Sequence, residues 1–258
     1  MDNTSLGDRM KTYEGVERRY LTRREPLIIR IDGVHFHSFT KGFERPFDEV
    51  FLTCMRNTML DLCKNIQGAQ LGYTQSDEIS LLLLDDVTIE TEPWFKKNIQ
   101  KIVSVSAAMA TSFFNKEFDF ACISSQAPRG MMEAYINNRM AIFDARAFIL
   151  PREEVMNYFV WRQQDCTRNS IQSVGQTYFS HNQLFGKSCN DIQNMLLTEH
   201  NINWNDYEVA LKRGVCARKV KKNLLHKTWE LDVNIPIFNQ QPDYVEDIVY
   251  HRGDYEII

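Results

Sequence analysis

A chain of 258 residues, 43% hydrophobic and 25% charged, has the make-up of an ordinary globular protein, large enough for one big domain or a core with a second one appended. Its net charge, 30 − 34 = −4, excludes a global field that would draw it onto nucleic acid, so any such surface must be a local patch. Six cysteines (Cys54, Cys63, Cys122, Cys166, Cys189 and Cys216) show neither Cys-x-x-Cys pairing nor zinc-like spacing, which points to buried, reduced thiols in a cytoplasmic protein.

The first residues, with Asp2, Asp8 and Arg9 and no apolar stretch, do not read as a signal peptide. No apolar run nears the roughly 18 residues of a membrane span. Leu27-Ile28-Ile29-Arg30-Ile31 is short, β-branched and closed by Asp32-Gly33: a strand. From Phe47 to Ile66 apolar residues recur at Phe47, Phe51, Met55, Met59, Leu62 and Ile66, which predicts a helix with Pro46, Asp48 and Glu49 near its start and Gly68 after its end. Two strands follow, Ala69 to Thr74 and Ile79 to Leu84, joined by a turn holding Ser76 and Asp77. Pro93 opens a predicted helix to about Phe114, and a loop around Pro128-Arg129-Gly130 leads to a strand over Arg139 to Leu150.

This order predicts an α+β fold, β-α-β-β-α-β in the split ferredoxin-like arrangement, for a catalytic domain over residues 1–150. From Pro151 the chain reads as helical and more polar. Residues 211–227 carry seven Lys or Arg and no acid, and 230–258 carry seven acids against Arg252 alone. The expectation is therefore an appended helical, basic region over 151–258 that completes the fold. The division near residue 150 is marked only by composition, so one domain and two both fit.

In this topology the first and third strands are central neighbours. The end of the first strand and the hairpin turn then share one edge. Asp32 and Asp77, 45 residues apart in sequence, meet there, and two like charges so placed call for a bridging cation. This is the palm arrangement of two-metal nucleotide polymerases and cyclases. Taken singly, Asp32-Gly33 is also ordinary turn punctuation and Ser76-Asp77-Glu78 an ordinary polar hairpin tip. Glu78 faces away from Asp77 once the strand has begun. His35-Phe36-His37 lacks the further ligands a zinc site needs, so His37 is read as a donor to phosphate oxygens. The amides of residues 33 to 37 are read as a cradle for a triphosphate. Gly186-Lys187-Ser188 imitates the end of a P-loop, but the glycine needed upstream is His181. The 211–227 cluster, with Lys212 and Arg213, is either a solvated face or a phosphate-backbone contact, and Lys96, Lys97 and Lys101 extend it along successive turns of one expected helix.

Together these segments resemble the tRNA(His) guanylyltransferase superfamily, particularly its guanylyltransferase-like branch. The likeness rests on Arg30-Ile31-Asp32-Gly33 with Phe36-His37, Arg45-Pro46-x-Asp48, Gly72-x-x-Gln75-Ser76-Asp77-Glu78, Trp94-Phe95-Lys96-Lys97, Phe143-Asp144-Ala145-Arg146 and Tyr158 through Cys166. The resemblance implies 3′-to-5′ nucleotide addition to the 5′ end of tRNA on a polymerase-palm-like fold, with ATP activating a 5′-monophosphate. It implies two Mg²⁺ ions on Asp32 and Asp77 with help from the Gly33 carbonyl, and Glu78 as a third catalytic acid. ATP and GTP or another nucleoside triphosphate would meet Gly33, Val34, His35, Phe36, His37 and Ser76, with Arg45 and Asp48 nearby. It also implies a homotetramer with tRNA as partner, and the lack of a span-length apolar run leads us to expect no membrane association. Where eukaryotic members continue His-Ile-Asn-Asn, this chain has Thr167-Arg168-Asn169-Ser170, which favours template-directed repair of truncated tRNA ends over obligate guanosine addition and makes Arg168 an RNA contact. A palm-type cyclase, a forward polymerase and a non-catalytic RNA-binding module are the alternatives. The last of these lacks aromatics on its third strand, Ile79 to Leu84.

Overall fold

Alternate side chains of the first strand leave on opposite faces of a sheet, Leu27, Ile29 and Ile31 into one core and Ile28 into another. Burial on both faces makes the run read as continuously apolar. The computed structural model describes residues 4–124, 127–223 and 226–250. Within them one antiparallel sheet holds β1 (Leu27–Gly33), β2 (Ala69–Gln75), β3 (Glu78–Leu83), β4 (Phe143–Ile149), β5 (Val215–Asn223) and β6 (His226–Asp232), in the order β4-β1-β3-β2-β5-β6. The helices are α1 (Ser5–Val16), α2 (Phe36–Phe39), α3 (Glu49–Asn65), α4 (Ile99–Ile123), α5 (Arg129–Ile136), α6 (Glu154–Tyr178), α7 (His181–Leu184), α8 (Cys189–His200), α9 (Val209–Arg213) and α10 (Asp243–Val249). The fold is thus mixed α and β on an antiparallel sheet, with β1 and β3 central as expected.

Helices α3 and α4 cover one face. A Cβ at Gly72 would come within 2.6 Å of Cys63 Sγ and 2.9 Å of Met59 Cγ, so glycine lets α3 lie close on β2. Helix α6 covers the other face through Val155 and Phe159, joined by Phe238 and by Val245 and Val249 of α10. The far half of α6 packs on α8 through Ile171, Val174, Ile192 and Leu196.

Several expectations need correction. The helix expected from Pro93 begins only at Ile99, capped by Asn98, whose Oδ1 accepts from the Lys101 amide at 3.0 Å. Before it, Phe95, Lys96 and Lys97 form a left-handed turn with φ of 48°, 54° and 61°, a conformation costing roughly 1–2 kcal/mol per residue. A buried ammonium holds it: Lys97, 2% exposed, is ion-paired with Asp85 at 3.0 Å and donates to the carbonyls of Thr22 and Glu25 at 2.8 and 2.7 Å. The strand expected over 139–150 shortens to β4, and α5 occupies what read as loop.

The region after residue 150, expected to be helical, also supplies β5 and β6, and β5 pairs with β2 to extend the same sheet. Val215, Cys216 and Ala217 fill cores on both faces of this strand, which ties much of the basic stretch into the sheet. The side chains of Lys221 and Lys222, and residues 251–258 with Arg252, lie outside the described residues. All six cysteines are free thiols, five of them buried. No helix among the described residues is long and apolar enough to cross a membrane.

Candidate active site

The end of β1 is stitched to the β2–β3 turn. The Gly33 amide donates to the Asp77 carbonyl oxygen at 3.1 Å, and Asp32 is the register partner of Glu78. Gly33 has no room for a side chain, since a Cβ would stand 2.3 Å from the buried ring of Phe36. Ser76, at φ 48°, turns the chain so that Asp77 stands half-buried beside Asp32. Burial pushes the Asp77 carboxyl above its ordinary value of 3.8, its own amide and the Ser76 hydroxyl pull it back, and the charge on Asp32 adds to the rise. The nearest cations to Asp32 are Arg30 and Arg146, each 3.8 Å from Oδ2, and among the described residues none lies within ion-pair reach of Asp77. Two repelling carboxylates, one half-buried without a counter-charge, form a donor pair suited to a hard divalent cation. No cluster of three or more His, Cys, Asp and Glu side chains is found among the described residues, so the remaining ligands of such an ion must be backbone, water or phosphate oxygens.

Beside Asp77 opens a cleft of about 490 Å³, within the usual range for a small-molecule site. Phe43, Phe51, Met55 and Val215 give it an apolar floor, while His37, Arg45, Ser76 and Asp77 stand among the polar groups of its rim. Asn169, Ser170, Ser173 and Gln176 of α6 form the opposite wall. The loop before α3 is tied to that wall, because the Ser173 hydroxyl donates to the Pro46 carbonyl at 3.0 Å.

The other expected residues are placed as follows. Phe36 is buried in the aromatic core, where its ring supports the Gly33 turn and also forms part of the cleft lining. His35, at φ 54°, and His37 are exposed on either side of it. The Gly33 and Val34 amides are engaged by Asp77 and Ile142, which narrows the amide cradle to residues 35–37. Asp48 caps α3, accepting from the amides of Phe51 at 3.0 Å and Glu44 at 3.1 Å, so it shapes the Arg45 loop and has little left to offer a nucleotide.

Glu78 is not at the cleft. It lies beneath α6, with Oε2 2.8 Å from Arg30 Nη2 and Oε1 2.8 Å from Arg162 Nε. Burial nevertheless holds its carboxyl above the ordinary value, outweighing Arg162 and Arg30. Ser80 and Tyr158, hydrogen-bonded at 2.7 Å, continue this polar seam, and Trp161 stacks on Arg162. The sequence carried a trace of it in Ser80, the one polar residue of the apolar run Ile79 to Leu84.

Of the residues expected to touch RNA, Lys96 and Lys101 are exposed and Arg213 is half-buried. Lys97 is the buried ion pair described above. Lys212 is buried too, its ammonium bound to the Asn205 carbonyl over Trp204, with burial lowering its pKa. Arg168 is ion-paired with Asp165 on its own helix.

The sequence profile described as tRNAHis guanylyltransferase (Thg1) matches residues 7–151. An uncharacterised protein of Acanthamoeba polyphaga mimivirus is 32% identical over 237 residues, covering 84% of this chain and 78% of its own. The tRNA(His) guanylyltransferase of Debaryomyces hansenii is 28% identical over 201 residues, covering 73% and 71%. Among solved structures, a bacterial tRNA(His) guanylyltransferase-like protein in complex with ATP superposes with TM-score 0.84 at 46% identity, over 95% of this chain and 100% of that one. One in complex with GTP gives 0.80 at 41%, over 96% and 100%. With more than half its length matched by the profile, the chain belongs to the tRNAHis guanylyltransferase (Thg1) family of nucleotidyltransferases.

Proposed function

We propose that this protein adds nucleotides in the 3′-to-5′ direction to the 5′ end of tRNA, rebuilding truncated ends against the opposite strand as template. The carrying observation is the convergence of Asp32 and Asp77 beside a nucleotide-sized cleft with an apolar floor. The strand order β4-β1-β3-β2, with acids at the joined ends of β1 and the β2–β3 turn, supports a polymerase-palm-like reading.

Asp32, Asp77 and the Gly33 carbonyl would hold two Mg²⁺ ions, which when bound lower the pKa of an attacking hydroxyl and neutralise charge on the departing phosphate. The apolar floor takes a purine base, and the polar rim faces its ribose and phosphates. His37, Arg45, Ser76 and the amides of residues 35–37 are the donors available to the triphosphate. In the first step the tRNA 5′-phosphate attacks the α-phosphorus of ATP and pyrophosphate departs. In the second the 3′-hydroxyl of GTP, or of another nucleotide paired to the template, attacks the activated 5′-phosphate and AMP departs. The chain's own part is to hold both reactants in line and to shield them from water.

Template direction is supported by the segment Thr167-Arg168-Asn169-Ser170. Thr167 donates to the Lys212 carbonyl at 3.1 Å and exposed Arg168 pairs with Asp165, while Asn169 and Ser170 line the cleft, so the segment that meets the site is not the His-Ile-Asn-Asn of eukaryotic members. The test is incubation of a 5′-truncated, 5′-monophosphorylated tRNA with ATP and all four nucleotides, followed by sequencing of both RNA ends. Growth at the 5′ end that follows the opposing strand is expected. Growth at the 3′ end, or a cyclic dinucleotide made without RNA, would overturn the proposal.

A further inference from the structure

The left-handed turn Trp94–Lys97 is unexplained by the catalytic site. It lies at the far end of β3, about 20 Å from the Asp77 turn by six strand residues at about 3.3 Å each. Three consecutive non-glycine residues with positive φ are sustained there by the buried Lys97 anchor. Strain of this kind is found where surrounding structure holds a residue for use. Its outcome is the presentation of one ring. Phe95 is 37% exposed, backed by Trp94 at 4.6 Å between centroids and flanked by exposed Lys96, while Lys101 Nζ stands 5.9 Å from the ring centroid. Trp94 packs into the core and is fixed, whereas the lysine over Phe95 is a flexible chain that can yield the ring face.

We propose that Phe95 is a stacking platform for an unpaired base of the RNA substrate, with Lys96 and Lys101 meeting the adjoining phosphates. The proposal rests on the tRNA-directed reading above. An aromatic face bordered by lysines is the chemistry that holds single-stranded nucleic acid irrespective of sequence. The separation from the catalytic pair selects a polynucleotide, because a free nucleotide in the cleft cannot reach this turn. A contact here would fix how the RNA lies while its 5′ end is extended.

Phe95→Ala, Phe95→Leu and Phe95→Trp separate stacking from bulk. Binding of 3′-labelled tRNA, followed by fluorescence anisotropy, should weaken about tenfold in Phe95→Ala and in Phe95→Leu and return in Phe95→Trp. ATP affinity at the cleft and affinity for a fully paired RNA duplex should stay within twofold of the parent. Phe95→Leu keeps the bulk beside Trp94 and serves as the reading if Phe95→Ala melts early. Parental tRNA affinity in Phe95→Leu overturns the proposal. So does a changed sedimentation mass in that variant, which would assign the ring to contact with a second copy of the chain. Loss of 5′ extension in the parent protein would instead defeat the functional reading, and it is measured separately.

Discussion

The amide of Gly33 donates to the carbonyl oxygen of Asp77 at 3.1 Å, fastening the end of β1 to a turn 44 residues further along the chain. That single bond sets Asp32 beside Asp77. The two carboxylates are costly neighbours without a cation, and they are where chemistry is expected. Asp32→Asn and Asp77→Asn should each lower nucleotide addition by about a hundred- to a thousandfold, the scale on which a transition-state charge contact is lost. The metal-free melting temperature should hold or rise in both. A variant retaining a tenth of the parental rate would remove its residue from the catalytic pair.

The raised pKa of Asp77 gives a signed dependence on pH. The folded protein keeps the Asp77 proton above the ordinary 3.8, so in that window it binds more protons than the unfolded chain. Stability is present below the unfolded value and is lost as pH rises through the folded one. Glu78, raised from 4.5, acts in the same direction. Urea denaturation of the metal-free protein should therefore show stability falling from pH 4 upward, with a shallower fall in Asp77→Asn. An equal fall in parent and variant would mean that Asp77 ionises without cost.

Much of this site was legible because its cause is topological. Burial on both faces made β1 and β3 read as apolar runs, and the motif ends Asp32-Gly33 and Ser76-Asp77 marked where they stop. Strand order then placed the ends together. The partners of Glu78 were not legible, because Arg162 stands 84 positions away and only the packing of α6 on the sheet delivers it. Nor was the cleft wall of Asn169, Ser173 and Gln176, a polar helix face like any other until α3 and its leading loop are set opposite. Lys96 and Lys97 look alike in sequence. A left-handed turn that no apolar periodicity announces sends one to solvent and the other into the interior.

Glu78 is a buried anion between Arg30 and Arg162, and removing one partner of such a group leaves uncompensated charge, at a cost of about 3–5 kcal/mol. Glu78→Leu should destabilise the fold by that amount. Glu78→Leu with Arg162→Met should cost less than the sum of the two single changes, since each single change already breaks the contact they share, while Arg162 has Asp165 as a second partner. Chemical denaturation of both singles and the double gives the coupling, and strictly additive losses would show that the contact carries no energy.

Gly33→Ala tests the fit at the hinge of the site. A methyl 2.3 Å from the Phe36 ring must displace either that ring, which packs 4.9 Å from Phe143, or the strand end itself. Overpacking of this kind costs about 1–3 kcal/mol. Activity should fall further than stability implies, because the displaced strand end carries Asp32. Parental activity and melting temperature in Gly33→Ala would show that the turn adapts freely.

The buried Lys97 makes the sharpest contrast with its neighbour. Its ammonium neutralises Asp85 and satisfies two carbonyls, so Lys97→Met leaves a buried carboxylate and two unpaired acceptors and should destabilise by about 3–5 kcal/mol. The left-handed turn should relax with it, changing the fluorescence of Trp94. Lys96→Met alters an exposed side chain and should stay within about 0.5 kcal/mol of the parent. Denaturation curves of the two variants decide the matter, and equal midpoints would mean that the ammonium at position 97 does not hold the turn.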